Sequence, residues 1–438
     1  MHNADSLHEV SKACHNLPSV RLKSTPIGML PEEWDVAALG QITQPNAPIR
    51  YGVVQIGPDT PDGVPIVPIK FMNRIDAAPL HRAAKEIEAR YVGSRVTGGD
   101  ILLSVKGTIG RIGVVPKGFR GNIAREIARI RLKAAIDPDF VALQLEAPHT
   151  QRRIASSTVG STRLEFSIAE VRDFMVALPP LPEQRKIAEL LRTWDDAIEK
   201  LETLRAAKSS RLTALTKLLV FGGRRLAVIE TKAAMVAHRW FTLPNDWKCL
   251  PINEVAQELS ERHTGAKVPE VLSCSKYDGF VRSLEYFKKQ VFSTDLDGYK
   301  KIWRGDFGFP SNHVEEGSIG LQNLVDVGLV SPIYTVFRFE PTKVLSEYAF
   351  AVLKTGLYRH IFAVSTSASV DRRGSLRWTE FAKIPFPLPS MAEQEAIVEV
   401  LRTSKTEVTT LDQKIQAITN QKRGLMQKLL TGEWRVSA

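Results

Sequence analysis

The sequence predicts a mixed α/β (α+β) chain of two globular domains and two long helices that pack on each other, and three observations predict it. First, one pattern occurs twice. Pro179-Pro180-Leu181-Pro182-Glu183-Gln184 is answered by Pro387-Leu388-Pro389-Ser390-Met391-Ala392-Glu393-Gln394, and each Glu-Gln opens a long helical pattern. This repeat far exceeds the ~20–50-residue period of solenoids. Second, both helical patterns carry a heptad seam. Third, the segments ahead of them are short apolar runs broken by Gly and Pro turns, as in domains of many short strands.

In chain order, residues 1–24 are polar and aperiodic and are expected to form a flexible N-terminal arm. Residues 25–182 make the first globular domain, opened by Leu30-Pro31-Glu32-Glu33-Trp34. Gly99-Asp100-Ile101-Leu102-Leu103-Ser104 reads as a turn into a buried strand, bounded by Gly107-Thr108-Ile109-Gly110. A β-branched strand run is expected from Ile123 to Leu132. Residues 183–237 form a central helical region. Residues 238–390 make the second domain, opened by Leu243-Pro244-Asn245-Asp246-Trp247. There Gly305-Asp306-Phe307-Gly308-Phe309 leads to Gly317-Ser318-Ile319-Gly320 and a second run, Val330 to Phe339. Gly160-Ser161-Thr162-Arg163 is loosely matched by Gly374-Ser375-Leu376-Arg377. Residues 391–438 form the C-terminal helical region.

The seam of the first helix is Ile187, Leu191, Trp194, Ile198, Leu201, Leu212, Leu215 and Leu219, interrupted by Arg205 and Lys208. That of the second is Ile397, Leu401, Val408, Leu411, Ile415, Ile418, Leu425 and Leu429, interrupted by Ser404 and Lys422. Steps alternate between four and three, the narrow stripe of a coiled coil rather than a broad globular face. Each helix would be roughly 50 Å long. The plainer reading lays each helix on its own domain; matched length and phase favour mutual packing. Parallel and antiparallel pairing both satisfy the seam and the connecting segment.

The chain has 438 residues and a formal net charge of +11. A basic excess suits a polyanionic partner, because Lys and Arg displace counterions from phosphates. Three cysteines (Cys14, Cys249 and Cys274) without CxxC spacing fit a reducing compartment and argue against a disulfide frame or structural zinc. No stretch approaches ~18 consecutive apolar residues and no apolar leader opens the chain, so a cytoplasmic protein with no membrane partner is expected.

The sequence carries none of the common motifs of reaction chemistry. There is no Gly-x-x-x-x-Gly-Lys-Ser/Thr phosphate loop, no Asn/Asp-Pro-Pro-aromatic methyltransferase motif and no His-Glu-x-x-His. Asp137-Pro138-Asp139 suits a helix start, with Asp as cap and Pro in the first turn, better than a nuclease acid pair. Gly107-x-x-Gly110-x-x-Gly113 follows a strand with no helical pattern after it, so it is read as a turn. No catalytic residue, metal ligand or cofactor is expected in this chain.

The Pro-rich exits, the Glu-Gln helices and the Lys-Leu-Leu finishes resemble the specificity subunit of type I restriction-modification enzymes. Leu429-Leu430-Thr431-Gly432-Glu433-Trp434-Arg435-Val436 is similar to that family's C-terminal signature. Gly99 to Ser104 with Gly107 to Gly110 resembles its first target-recognition domain. Gly305-Asp306-Phe307 with Gly328-Leu329-Val330-Ser331-Pro332-Ile333-Tyr334 resembles its second. One departure is Leu219-Val220-Phe221-Gly222-Gly223, where the C-terminus has Leu-Leu-Thr-Gly. The resemblance implies two target-recognition domains joined by two long antiparallel coiled-coil helices with pseudo-twofold symmetry. It implies that each domain reads half of a bipartite site on double-stranded DNA. It also implies two methyltransferase subunits carrying S-adenosylmethionine and two restriction (motor) subunits using ATP and magnesium. The assembled complex would be an adenine-specific DNA methyltransferase and ATP-dependent nuclease.

Loop-borne side chains suited to phosphates and base edges are Lys106, Thr108, Arg111, Arg120, Asn122 and Arg125 in the first domain. In the second they are Lys276, Tyr277, Arg304, Asn312, His313, Ser318, Arg372 and Arg373. Arg125 begins the alternation Arg125-Ile127-Arg129-Arg131, which also fits an ordinary exposed strand face. Two other readings stand beside this one: a coiled-coil protein-interaction adaptor, and a single-chain DNA-modifying enzyme with an unrecognised site.

Overall fold

The structure, a computed structural model, describes residues 21–157, 165–226, 233–264, 268–277, 279–366 and 375–436. It divides into two compact units, Met1–Leu201 with Lys414–Ala438, and Glu202–Gln413.

In the first unit, one four-stranded sheet runs His81–Ala83, Val64–Val67, Arg120–Ile123, Val96–Thr97, and its central pair is parallel. A second, antiparallel sheet runs Arg50–Tyr51, Ile127–Ile130, Ile101–Ser104, Ile112–Val114. Asp35–Ala38 pairs with Met175–Leu178, tying the start of the domain to its exit. The strand Ile101–Ser104 is buried throughout, as its apolar run requires. Gly99 turns into it at φ +89°, a conformation glycine adopts without steric cost. Asp137 caps helix Pro138–Glu146 by accepting from Phe140 N (2.9 Å), with Pro138 in the first turn.

The second unit repeats this plan strand for strand. Its mixed sheet runs Gly279–Arg282, Glu270–Ser275, Val327–Val330, Lys300–Trp303, again with the central pair parallel. Its antiparallel sheet runs Ala256–Leu259, Tyr334–Phe339, Phe307–Pro310, Gly320–Leu321. Lys248–Pro251 pairs with Pro385–Leu388. Its core is aromatic, with Phe307, Phe337, Phe381, Phe386, Tyr348 and Tyr358 all at 0% exposure.

The helices Leu181–Val220 and Met391–Leu430 have 40 residues each, about 60 Å at 1.5 Å per residue and longer than the sequence suggested. They pair antiparallel. In the first unit Asp195 meets Lys422 (2.5 Å); in the second Arg205 meets Asp412 (2.9 Å) and Lys208 meets Glu407 (2.8 Å). All sixteen apolar seam positions are buried or half-buried. Ile187, Leu191, Leu219 and Leu429 reach 0% exposure because domain side chains also cover them. Three of the polar interruptions (Arg205, Lys208 and Lys422) bridge to acids on the facing helix, which lets a long cation occupy a seam without an unpaired buried charge.

Four expectations need correction. The arm expected over 1–24 has structure at its end, because Leu22–Thr25 pairs with Gly28–Pro31 around a turn in which Thr25 Oγ1 donates to Gly28 O (2.6 Å). The central helical region, expected to 237, is helical only to Val220, and Met235–Ala237 is a strand on Thr242–Pro244. The run Ile123 to Leu132 is not one strand: Arg120–Ile123 and Ile127–Ile130 lie in different sheets. The run Val330 to Phe339 breaks the same way at Ser331–Ile333, where Pro332 removes a donor that a strand interior needs.

Candidate nucleic-acid interface

Each unit is closed by the residues the sequence repeats. In the first, Trp34 Nε1 donates to Glu183 Oε2 (3.2 Å), and Arg435 donates to both oxygens of Glu183 (2.6 and 2.9 Å) and to Glu33 (2.8 Å). In the second, Trp247 Nε1 donates to Glu393 (2.9 Å), Arg225 Nε pairs with Glu393 (2.6 Å), and Arg225 also grips Asp246 (3.0 Å). The following glutamines pin the strand exits: Gln184 Nε2 donates to Pro179 O while its Oε1 accepts from Asp137 N, and Gln394 Nε2 donates to Pro389 O while its Oε1 accepts from Leu345 N. Gly432 (φ +72°) and Gly222 (φ +67°) turn the helix ends under Pro31 and Pro244. The departure at Leu219 to Gly223 therefore keeps the two residues that matter, the glycine and the arginine three positions beyond it. This framework holds the loops that carry the candidate readers.

In the first unit, Thr108, Arg111 and Arg120 are exposed, and neither arginine makes a side-chain ion pair with another described residue. Lys106 pairs with Glu165 (3.0 Å) over the Tyr51 ring; burial, then Glu165, pushes the Tyr51 phenol up to about 12. Arg125 is exposed and pairs with neighbouring Glu126 (3.0 Å). Asn122 is corrected. At 0% exposure its amide donates to Glu88 and Tyr91 O and accepts from Ser94, so it has no surface to offer DNA.

In the second unit, Lys276 and Tyr277 project from the turn between Glu270–Ser275 and Gly279–Arg282, with Tyr277 79% exposed. Arg304 is exposed and is held by Asp326 (3.2 Å) and by Asn323 O. Asn312 is half-buried and Ser318 is buried, which removes the serine from the reachable surface. His313 is exposed beside Glu316 (3.6 Å). With Glu315 these donor atoms lie within 4.8 Å of one another, a surface ion pair rather than a built metal site. Arg372 and Arg373 lie outside the described residues, as do Gly160 to Arg163 and Gly374.

A further basic group on the antiparallel sheet of the first unit is not among the expected readers. Arg129, expected on an exposed strand face, is 3% exposed and lies beside Arg50 and Arg131, against the Arg95 carbonyl. Alternation marked its face but not which face is covered.

Residues 31–208 match the family model described as Type I restriction modification DNA specificity domain. The chain is 33% identical over 205 residues to the Type I restriction enzyme EcoBI specificity subunit of Escherichia coli, a match that covers 45% of this chain and 43% of that subunit. It thus spans less than half the length of that relative. It is 22% identical over 429 residues to the Type I restriction enzyme MjaVIII specificity subunit of Methanocaldococcus jannaschii, covering 93% of this chain and 94% of that one. A solved chain from a study of complex assembly in the type I R-M system shares the fold, with a TM-score of 0.54, 16% identity, and coverage of 92% of this chain and 99% of that chain. Neither the adaptor nor the single-chain enzyme reading finds support among these relatives. No helix among the described residues is long and apolar enough to cross a membrane.

Proposed function

We propose that this chain is a type I restriction-modification specificity subunit that recognises DNA sequence by reading one short block with each of its two units. The observation that carries the reading is the duplication. Both units have one strand order and one Trp-Glu-Arg closure, while their exposed loop residues differ. A shared frame with different displayed side chains is what two readers of two different blocks require. Base contacts fall to exposed polar side chains such as Arg111, Arg120, Lys276, Tyr277 and Arg304. The paired helices set the spacing between blocks.

The chain itself is non-catalytic in this reading and acts in the cytoplasm. Two methyltransferase subunits with S-adenosylmethionine would modify adenine, and two restriction subunits with ATP and magnesium would move and cut DNA. The test is a genome-wide methyladenine map after co-expression with the neighbouring methyltransferase subunit. Two short specified blocks flanking a fixed unspecified gap are expected. A stable complex that methylates a single continuous block, or nothing, overturns the two-reader assignment.

A further inference from the structure

Three guanidinium groups, those of Arg50, Arg129 and Arg131, gather at the turn that carries Gly93 and the Arg95 carbonyl. Arg129 Nη1 and Arg131 Nη2 both donate to the carbonyl of Arg95, each at 3.2 Å. Arg50 is the register partner of Arg129 on the adjoining edge strand, so the two side chains share one sheet face. The Arg50 guanidinium lies over Gly93, where a Cβ would come within 2.8 Å of its Nη1. Like charges directly opposite each other across a strand pair are destabilising.

The Arg95 and Arg131 guanidinium groups are neutralised. Arg95 grips Glu88 (2.6 and 2.8 Å) and Arg131 grips Asp100 (2.7 Å at both oxygens). Arg129 has only carbonyl partners, Arg95 O and Pro48 O, and its Nε is buried without a partner. Burial, then Arg131 nearby, lowers the Arg129 pKa from its ordinary value. Arg50 is exposed and makes no side-chain ion pair with another described residue.

The second unit shows that the fold does not need this charge. Its strand pairs place Val336 where the first unit has Arg129, and Leu259, the register partner of Val336, where it has Arg50. The other half of the arrangement is kept, since Arg338 holds Asp306 as Arg131 holds Asp100. Two neighbouring cations whose only nearby acid, Asp100, is already held by Arg131 are replaced by packed aliphatic groups in the other unit, so they serve something other than packing.

The geometry points to a phosphate-binding site: Arg50, with the exposed face of Arg131, clasps one DNA backbone phosphate, and buried Arg129 strengthens it from beneath. This rests on the DNA-reading function above. The site holds the first unit on the duplex and carries no base preference, because a phosphate is the same at every step. Arg129 is a positioning residue here, acting through its charge.

The test compares the full chain with Arg50→Ala, with Arg129→Val and with Lys200→Ala, which removes an exposed charge elsewhere in the unit. Binding to a mixed-sequence DNA duplex is measured across a salt series, and thermal unfolding is followed with inorganic phosphate against chloride at equal ionic strength. Arg50→Ala should flatten the dependence of log K on log salt by about 0.9, one phosphate contact. Arg129→Val should weaken binding and abolish the phosphate-induced rise in melting temperature, and Lys200→Ala should match wild type in both. Val336 in the second unit shows that this position accepts valine. Coincident salt slopes and equal phosphate responses overturn the site. A phosphate response lost in Arg129→Val with unchanged duplex slopes overturns the DNA assignment in favour of a free phosphate ligand. Wild type that fails to bind any duplex sinks the DNA-reading function itself, and the phosphate measurement then judges the site separately.

Discussion

Glu183 and Arg435, 252 positions apart, form a 2.6 Å ion pair that fastens the start of one long helix to the end of the other. Glu393 and Arg225 do the same in the second unit at 2.6 Å. Glu183 is 4% exposed, so its charge depends on this partner and on Trp34. Removing one member of a buried pair typically costs about 3–5 kcal/mol. Arg435→Ala is therefore expected to destabilise the first unit by roughly 3 kcal/mol in urea unfolding. Arg435→Lys should recover little, because one ammonium cannot fork across Glu183 while also reaching Glu33. An Arg435→Ala protein that unfolds at the wild-type urea midpoint would rule out this pair as the fastening.

A second prediction concerns acid. Glu88 is fully buried, and the Arg95 hydrogen bonds hold its carboxyl below the ordinary range against the opposing push of burial. A carboxyl with a lowered folded pKa stabilises the fold above its unfolded value, about 4.3. That contribution is lost as pH falls through the lower folded value. Wild type should thus lose melting temperature below about pH 4. Glu88→Gln should start lower at neutral pH and show a shallower acid loss. Parallel curves for the two proteins would exclude Glu88 as a source of the acid sensitivity.

These two sites also mark how much the sequence disclosed. The Glu-Gln and Leu-Pro-x-x-Trp repeats were visible because a buried Trp-Glu-Arg closure tolerates few residue types, and so survives between copies whose loops have diverged. The seam was visible for the same reason, yet it could not orient the helices. A heptad stripe reads alike in both directions, and cross-pairs away from the helix centres, Asp195 with Lys422 and Lys208 with Glu407, fix antiparallel packing. Asn122, expected on a loop, lies within strand Arg120–Ile123, and Arg129 was misplaced because period-two alternation assigns faces without saying what covers them. Here the turn at 89–95 covers both residues.

The C-terminal helix offers a controlled pair of glycines, one inside it and one just past its end. Gly424 sits inside the helix with open space where a Cβ would go. Gly424→Ala should raise stability by about 0.5–1 kcal/mol, since glycine loses more backbone freedom on helix formation. Gly432 lies just past the helix end at φ +72°, and a Cβ there would fall 2.5 Å from Pro31. Gly432→Ala should lower stability by more than Gly424→Ala raises it. Thermal unfolding of both variants checks the helix end directly. A neutral Gly432→Ala would mean that this turn does not pack under Pro31.

The antiparallel register can be tested by reversing one bridge. Asp195 and Lys422 pair at 2.5 Å with Asp195 half exposed, so the attraction is screened and worth roughly 0.2–1 kcal/mol. Asp195→Lys places two ammonium groups together, and Lys422→Asp places two carboxylates together. Each single change should lower the urea midpoint, and the double change should restore most of the loss, because the pair is re-formed with its sign inverted. A double-mutant cycle isolates that coupling from the effect of each substitution alone. In a parallel arrangement with the helix starts level these residues would lie about 25 Å apart along the axis and the two losses would add. Additive losses would therefore contradict the register, whereas restoration requires residues 195 and 422 to face each other.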